Sequence, residues 1–351
     1  MLKAAITDVR AWPLRQPEDR TEYTVVRVDT DAGVSGWGES TASVRELEAA
    51  KPRLVGQDAT SAESVRRRLA GDPPAVRAAV NLALLDLLGK ICKAPVYDVL
   101  GGATRQKARA LAPLQGSTEA DWTESLKRAR DAGFRAVSVP LAVPEGPTRG
   151  RGFYRRTREA LERLRTVADG VDFVLDCGPR ATAAEAAGLA RELESFHLLW
   201  LEAPALSTSE LASIAIEYVA PIGHGRSTVE GAGFQELLKA DAIDVLRPDV
   251  ALWGISELRK AAVLAETYYA AVAPHHRGGP IATSAALHVA ASIPNFVLQE
   301  VPLPAHERDR KMRAELVGAA IETVKDGFLA LPTGPGLGVT VDVDALGRYR
   351  A

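Results

Sequence analysis

In the second half of this chain, a row of short apolar runs ends in residues that can do acid–base or electrostatic chemistry. VLD ends at Asp176, WLE at Glu202, VLRPD at Asp249, VAPHH at His275 and His276, and VLQE at Glu300. One run differs. PIGHGRS, 221–227, delivers His224, Gly225 and Arg226, a cation where its neighbours deliver acids. Two carboxylates from adjacent strands repel each other unless a cation or a shared proton lies between them. Mg²⁺ is the usual hard cation for such oxygen ligands, which makes Asp176 and Glu202 candidate metal ligands. An Asp oriented against a His forms an acid or base that works near neutral pH, so Asp249 and His275 are the catalytic candidates. His276 lies one position further into the loop and is the weaker choice. His288, inside ATSAALHVAAS, reads as a core or helix-surface residue, and His197 and His306 carry no signal. Any one of these residues reads equally well as an ordinary polar group at a strand–loop junction. The set is more telling, because each member directly follows an apolar run.

The elements that must position them alternate. From ARALAPL at about residue 108 to NFVLQE at 300, strand-like and helix-like segments repeat at roughly 20–30 residues, the pattern of parallel βα units. About seven to eight such strands predict a closed barrel, whose functional groups collect at the C-terminal strand ends. A doubly wound sheet is the alternative, but no G-x-G-x-x-G follows the first strand of the series. Before the alternation, AAITDVRAWPL and YTVVRVDTDAGVSGWGES predict strands with a hairpin at Asp31-Ala32-Gly33. VRAAVNLALLDLLGKICKAP predicts a helix with its stop at Gly101-Gly102. The basic segment PTRGRGFYRRTRE, 147–159, reads as a solvated loop and helix start.

Composition removes other classes. The chain has 351 residues with 46% hydrophobic and 25% charged, which places it among globular proteins. A formal net charge of −2 argues against a nucleic-acid partner. Two cysteines, Cys92 and Cys177, make a disulfide framework unlikely and predict a cytoplasmic setting. The first residues lack a signal-peptide core, and no run of about 18 apolar residues predicts a membrane span.

Nearly end to end, the sequence resembles the enolase superfamily in its mandelate racemase and muconate-lactonising branch. The resemblance is carried by VSGWGES, NLALLDLLGKICKAPVYDVLGG, LDCG, WLEAP, RPDVALWGISELRKAA, VAPHHRGGPIATSAALHVAASIPNFVLQE and DGFLALPTGPGLGVTVDVDAL. It implies an α/β fold, a modified TIM barrel with an N-terminal α+β capping domain. The implied domains are a cap at 1–106, a barrel at 107–326 and a segment at 327–351 that returns to the cap. It also implies removal of a proton α to a carboxylate, with Mg²⁺ on three acidic ligands stabilising the enediolate. Asp176 and Glu202 match the first two ligands, and Asp249 with His275 the Asp–His dyad. Glu300 matches an acid that hydrogen-bonds the substrate carboxylate, and Pro13 to Thr21 match the capping loop that sets substrate choice. Ser138 and His224, at the mouth, complete the substrate-binding candidates.

Three departures accompany the match. Arg226 stands where the third acidic ligand belongs, Ser138-x-Pro140 replaces a Lys-x-Lys pair, and Gly178 replaces an Asn. A guanidinium pairs readily with carboxylates, so Arg226 is expected to lie between Asp176 and Glu202 in the charge position of the missing Mg²⁺. Three readings stay open. The chain is a metal-free isomerase (racemase or epimerase) or a lyase (dehydratase) using the Asp249–His275 dyad. Alternatively it holds Mg²⁺ on two protein ligands with waters and substrate oxygens, assisted by His224. The third reading is a non-catalytic binding or scaffold protein on an inherited barrel. The expected partner is a small carboxylate, a hydroxy acid or sugar acid, and relatives imply a homo-oligomer.

Overall fold

The structure, a computed structural model, describes residues 3–141, 150–228, 231–318 and 321–351. Alternating buried and exposed side chains first build an antiparallel sheet in the order β1 (Ile6–Arg15), β2 (Glu22–Thr30), β3 (Ser35–Ser40). The β2–β3 turn uses Gly33 at φ +72°. β3 carries Gly36 and Gly38 because the helix Pro74–Cys92 lies directly on it. A Cβ at either glycine would collide with the carbonyl oxygens of Ala83 or Ala79. That helix buries nearly every face, as expected for one wedged between two layers. Its buried Asp86 accepts hydrogen bonds from the Trp37 and Leu337 amides, each at 2.8 Å, and from Lys90 at 2.6 Å. One carboxylate thereby joins the cap sheet, its helix and the C-terminal segment. The helix stops at Cys92, where Lys93 turns left-handed at φ +54° and Pro95 follows. Gly101 and Gly102 instead follow a separate short helix, Val96–Val99. The sequence expectation ran the two together, although a residue before proline disfavours helix.

Eight parallel strands follow: β4 (Lys107–Pro113), β5 (Ala136–Pro140), β6 (Asp172–Asp176), β7 (Trp200–Glu202), β8 (Ile222–His224), β9 (Val245–Leu246), β10 (Ala271–Val272) and β11 (Gln299–Glu300). Each pairs with the next up to β10, and β11 pairs with β4. The Val272–Phe296 bridge joins β10 to the stretch before β11 and closes the barrel. A layer of Leu111, Ala136, Val174, Trp200, Val245, Ala273 and Leu298 fills the interior. β8 contributes Gly223 at this level, and the Trp200 indole occupies the space its side chain would need. Of the basic segment 147–159, residues 147–149 lie outside the described residues, and the remainder lies in the helix Arg151–Val167 and the residue before it.

After the barrel come a helix, Glu307–Val317, and the hairpin β12 (Val324–Lys325) and β13 (Phe328–Ala330). β13 pairs antiparallel with β4, so the last segment adds to the barrel sheet before it reaches the cap. There the Ala351 amide bonds the Pro13 carbonyl at 2.8 Å. No helix among the described residues is long and apolar enough to cross a membrane.

Candidate active site

Parallel pairing sets the candidate residues side by side. Asp176 pairs in register with Glu202, and Glu202 with Gly223. Asp249 and His275 form an isolated bridge, and Glu300 pairs with Leu111. Gly225, at φ +121°, follows β8 in a conformation that favours glycine. It turns the chain so that the Arg226 side chain reaches back over β6 and β7. Arg226 Nε donates to Glu202 Oε1 at 2.5 Å, and Nη2 donates to Asp176 Oδ2. Its Nη1 makes no hydrogen bond among the described residues. Burial opposes the charge on Arg226, but Glu202, Glu300 and Asp176 outweigh it and raise its pKa.

A second guanidinium lies beneath the first. Arg247 is fully buried, 5.0 Å over the Trp200 ring. Its Nε donates to Glu202 Oε2 at 3.1 Å, Nη1 to the Ala273 carbonyl at 2.9 Å, and Nη2 to Glu300 Oε2. Burial alone would raise the Glu300 pKa, but Arg247 and Arg226 hold it down at about 2. The site is thus a ladder of three carboxylates interleaved with two guanidiniums.

This donor set decides whether Mg²⁺ fits. Asp176 Oδ1 accepts from the Gly178 amide at 2.9 Å, and Oδ2 from Arg226. Glu202 Oε1 accepts from Arg226, and Oε2 from Arg247 and from Trp200 Nε1 at 3.3 Å. All four oxygens already face N–H groups, and a guanidinium carbon stands between the two acids. Among the described residues no cluster of three or more His, Cys, Asp or Glu side chains is arranged to hold a metal. A divalent cation does not fit this arrangement, because it needs those lone pairs and would meet a fixed positive charge.

Above the ladder is a cavity of about 310 Å³, a size suited to a small ligand. From the barrel it is lined by Asp176, Arg226, Glu300, Ser138, Gln115, His276 and the exposed Arg277. The cap contributes Gln16, Asp19 and Thr21. The capping segment is shorter than Pro13 to Thr21, since 13–15 belong to β1. His224 does not line the cavity. Its Nδ1 lies 3.1 Å from the Ala203 carbonyl, and burial lowers its pKa.

Asp249 and His275 also stand behind the cavity wall. His275 Nε2 is 3.8 Å from Asp249 Oδ2, beyond hydrogen-bond reach, and 3.4 Å from the Arg226 carbonyl. Asp249 caps the helix Val250–Thr267, accepting the Ala251 amide at 2.7 Å. Burial raises its pKa to about 7 and pushes that of His275 well below the usual imidazole range. With His275 neutral, the pair is no ion pair at neutral pH.

Two contributors, Arg247 and Arg277, escaped the sequence reading. Arg247 lies inside an apolar run, the usual sign of a strand interior. Gln16, with its buried Oε1 unbonded, falls within the capping segment that the sequence marks without singling it out. His276, the weaker of the two histidines by sequence, is the one that lines the cavity. Arg277, in the same loop, forms no ion pair among the described residues, and only its place next to two histidines hinted at a role.

The likeness to known proteins agrees with this architecture. Residues 9–101 match the mandelate racemase / muconate lactonizing enzyme N-terminal domain, and residues 121–345 match the enolase C-terminal domain-like family. The D-xylonate dehydratase of Haloferax volcanii is 30% identical over 372 aligned positions, covering 98% of this chain and 88% of that protein. The D-galactonate dehydratase of Ralstonia pickettii is 31% identical, covering 91% and 89%. A crystal structure of an enolase from Agrobacterium radiobacter, with Na and L-malate bound, superposes with a TM-score of 0.89 at 25% identity, covering 99% of this chain and 95% of that one. Members of this superfamily typically use Mg²⁺, which sets the arginine ladder apart. With both domain matches in chain order and relatives aligned along almost its whole length, the chain belongs to the mandelate racemase / muconate lactonizing enzyme family of the enolase superfamily.

Proposed function

We propose that this protein is a metal-independent enzyme that removes the α-proton of a small hydroxy acid or sugar acid, with loss of water as the favoured outcome. The observation that carries this reading is the Arg226 guanidinium, which bonds both Asp176 and Glu202 and belongs to a residue that lines the cavity, with no hydrogen bond from Nη1 among the described residues. In a dehydration, the C2 proton passes to a base and the C3–O bond breaks. The departing hydroxyl takes a proton and leaves as water, and the enol becomes a 2-oxo acid. Negative charge builds on the substrate carboxylate as C2 loses its proton, and a fixed donor aimed there lowers the barrier. Arg226 Nη1 is that donor, Arg277 attracts the anion, and Ser138 and Glu300 meet its hydroxyls. Asp249 and His275 are the proposed proton-exchanging pair, a role that requires the Arg226 backbone, whose carbonyl lies 3.4 Å from His275 Nε2, to move aside when substrate binds. The dehydratase relatives support the choice of water loss over racemisation.

A second reading, a binding protein without turnover, draws on the 3.8 Å gap between Asp249 and His275 and their place outside the cavity. One assay separates the two. Purified protein is given D-xylonate or D-galactonate with EDTA or with Mg²⁺, and 2-oxo acid formation is followed. Equal turnover in both conditions supports the metal-free enzyme. Turnover that EDTA abolishes and Mg²⁺ restores overturns it, and binding without turnover supports the second reading.

A further inference from the structure

The capping segment 16–21 leaves the cap sheet after β1 and rejoins it at β2, and its Gln16, Asp19 and Thr21 line the cavity. Within the segment, the Gln16 amide bonds the Thr21 carbonyl at 2.9 Å, and the Thr21 amide bonds Asp19 Oδ1 at 2.9 Å. These bonds shape the loop but do not fix it over the barrel. A residue from outside the cap does that. Asp309, in the first turn of the helix Glu307–Val317, is completely buried. Its Oδ1 accepts the Glu18 amide at 2.9 Å, and its Oδ2 the Asp19 amide at 3.1 Å. Both oxygens of one carboxylate are thus spent on two consecutive amides of the segment, 290 or more positions away in the chain. The first turn of a helix favours a carboxylate there. Among the described residues, one other hydrogen bond ties the segment to anything beyond the cap. Arg308 Nη1 donates to Glu18 Oε1 at 2.8 Å, from a side chain 76% exposed, and such surface pairs contribute little.

The helix that carries Asp309 also grips a barrel loop at the cavity. Arg313, one turn further on and buried, donates to Glu322 from Nε at 2.7 Å and from Nη2 at 2.5 Å, and from Nη1 to the Gly278 carbonyl at 2.8 Å. Gly278 directly follows His276 and Arg277, which line the cavity. Residues four apart lie on one helix face, so one rigid face joins the capping segment to that loop. We propose that Asp309 is a positioning residue, which latches segment 16–21 over the cavity so that Gln16, Asp19 and Thr21 meet the polar tail of a bound acid. Asp19 brings a carboxylate to a cavity whose cations, Arg226 and Arg277, come from the barrel. Charge complementarity therefore turns the acid's carboxylate toward the barrel and its hydroxyls toward the latched segment. The proposal rests on the substrate class inferred above and adds the residue through which the site selects the chain beyond C2.

The test compares full-length wild type with Asp309→Asn, which keeps the side-chain shape but sets an NH2 donor against one segment N–H. In hydrogen exchange, a peptide covering 16–21 should exchange about tenfold faster in D309N, the scale of a hydrogen bond to a charged group. Peptides of the helix Glu307–Val317 should stay as slow as in wild type. Glu18→Gln, which removes only the exposed ion pair, should leave the segment's exchange unchanged. In calorimetry, D-galactonate should bind D309N about tenfold more weakly. Glycolate, with the same carboxylate and C2 hydroxyl but no chain beyond, should bind both proteins within about twofold. Should D309N fail to fold, Asp309→Ser, whose hydroxyl can accept one amide, takes its place. Unchanged exchange at 16–21, or faster exchange throughout the helix as well, overturns the latch. Unchanged D-galactonate affinity, or equal weakening of both acids, overturns its part in selection. Failure of wild type to bind either acid overturns the substrate class, while the exchange data still decide the latch.

Discussion

Replacing Arg226 tests the ladder directly. Arg226→Met removes the donors of Asp176 Oδ2 and Glu202 Oε1 while keeping much of the side-chain volume. Arg226 is 15% exposed, Glu202 1% and Asp176 19%, so the pair is largely withdrawn from water. Removing one partner of a buried ion pair costs about 3–5 kcal/mol. Glu202 keeps Arg247 and Trp200, and Asp176 keeps the Gly178 amide, which places the expected loss near the lower figure. At about 1.4 °C per kcal/mol for a chain this large, the midpoint should fall by about 4 °C. Arg226→Glu should fall further in EDTA, because it sets a third carboxylate against two. It should also create a site for Mg²⁺, and at a hundredfold excess over Kd the ion should return about 2.7 kcal/mol, or about 4 °C. The assay is thermal unfolding of wild type and both variants, each in EDTA and in Mg²⁺, with calorimetry for the ion. Wild type should not respond to Mg²⁺. The reasoning is refuted if wild type gains as much from Mg²⁺ as Arg226→Glu, or if Arg226→Met unfolds at the wild-type temperature.

Three further outcomes are expected. Asp249 has its folded pKa raised from 3.8 to about 7 by burial, so its contribution is intact below 3.8 and declines as pH rises toward 7. Asp249→Asn should therefore match wild type near pH 4 and exceed it in unfolding free energy, read by urea titration, at pH 7 and above, by at most roughly 4 kcal/mol. Arg247→Met strands Glu202 and Glu300 in the barrel and should cost about 3–5 kcal/mol by the same unfolding assay. Glu300, depressed from 4.5 to about 2, adds stability to wild type above pH 4.5 that is lost as pH falls toward 2, and Arg247→Met should lack that acid loss. Gly36→Ala drives a Cβ into the Ala83 carbonyl and should lower the unfolding free energy, read by urea titration, by about 2 kcal/mol or more, the range for a core overpacking change.

The sequence alone determined the barrel and the row of strand-end residues, because both follow from local rules. A βα repeat with apolar strands has few ways to bury itself, and a polar residue directly after such a strand must emerge at the C-terminal mouth. Asp176, Arg226, Glu300 and Ser138 line the cavity for that reason, and Glu202 lies buried beside them, bonded to Arg226. The same rule says nothing about reach or facing. Asp249 and His275 emerge at the mouth too, yet capping the following helix and packing behind Arg226 leave them outside the cavity. Tertiary structure decided the rest. Arg247 looks like part of a strand interior until barrel closure sets Glu202 on one side of it and Glu300 on the other. Gln16 reaches the site only because the cap folds over the barrel. His276 is held by Thr283, which bonds Glu322, itself gripped by Arg313, residues up to 46 positions away in the chain. Each of these depends on which side chains long-range packing brings within 3 Å or so of one another, a distance on which hydrogen bonds depend steeply and which no local pattern encodes.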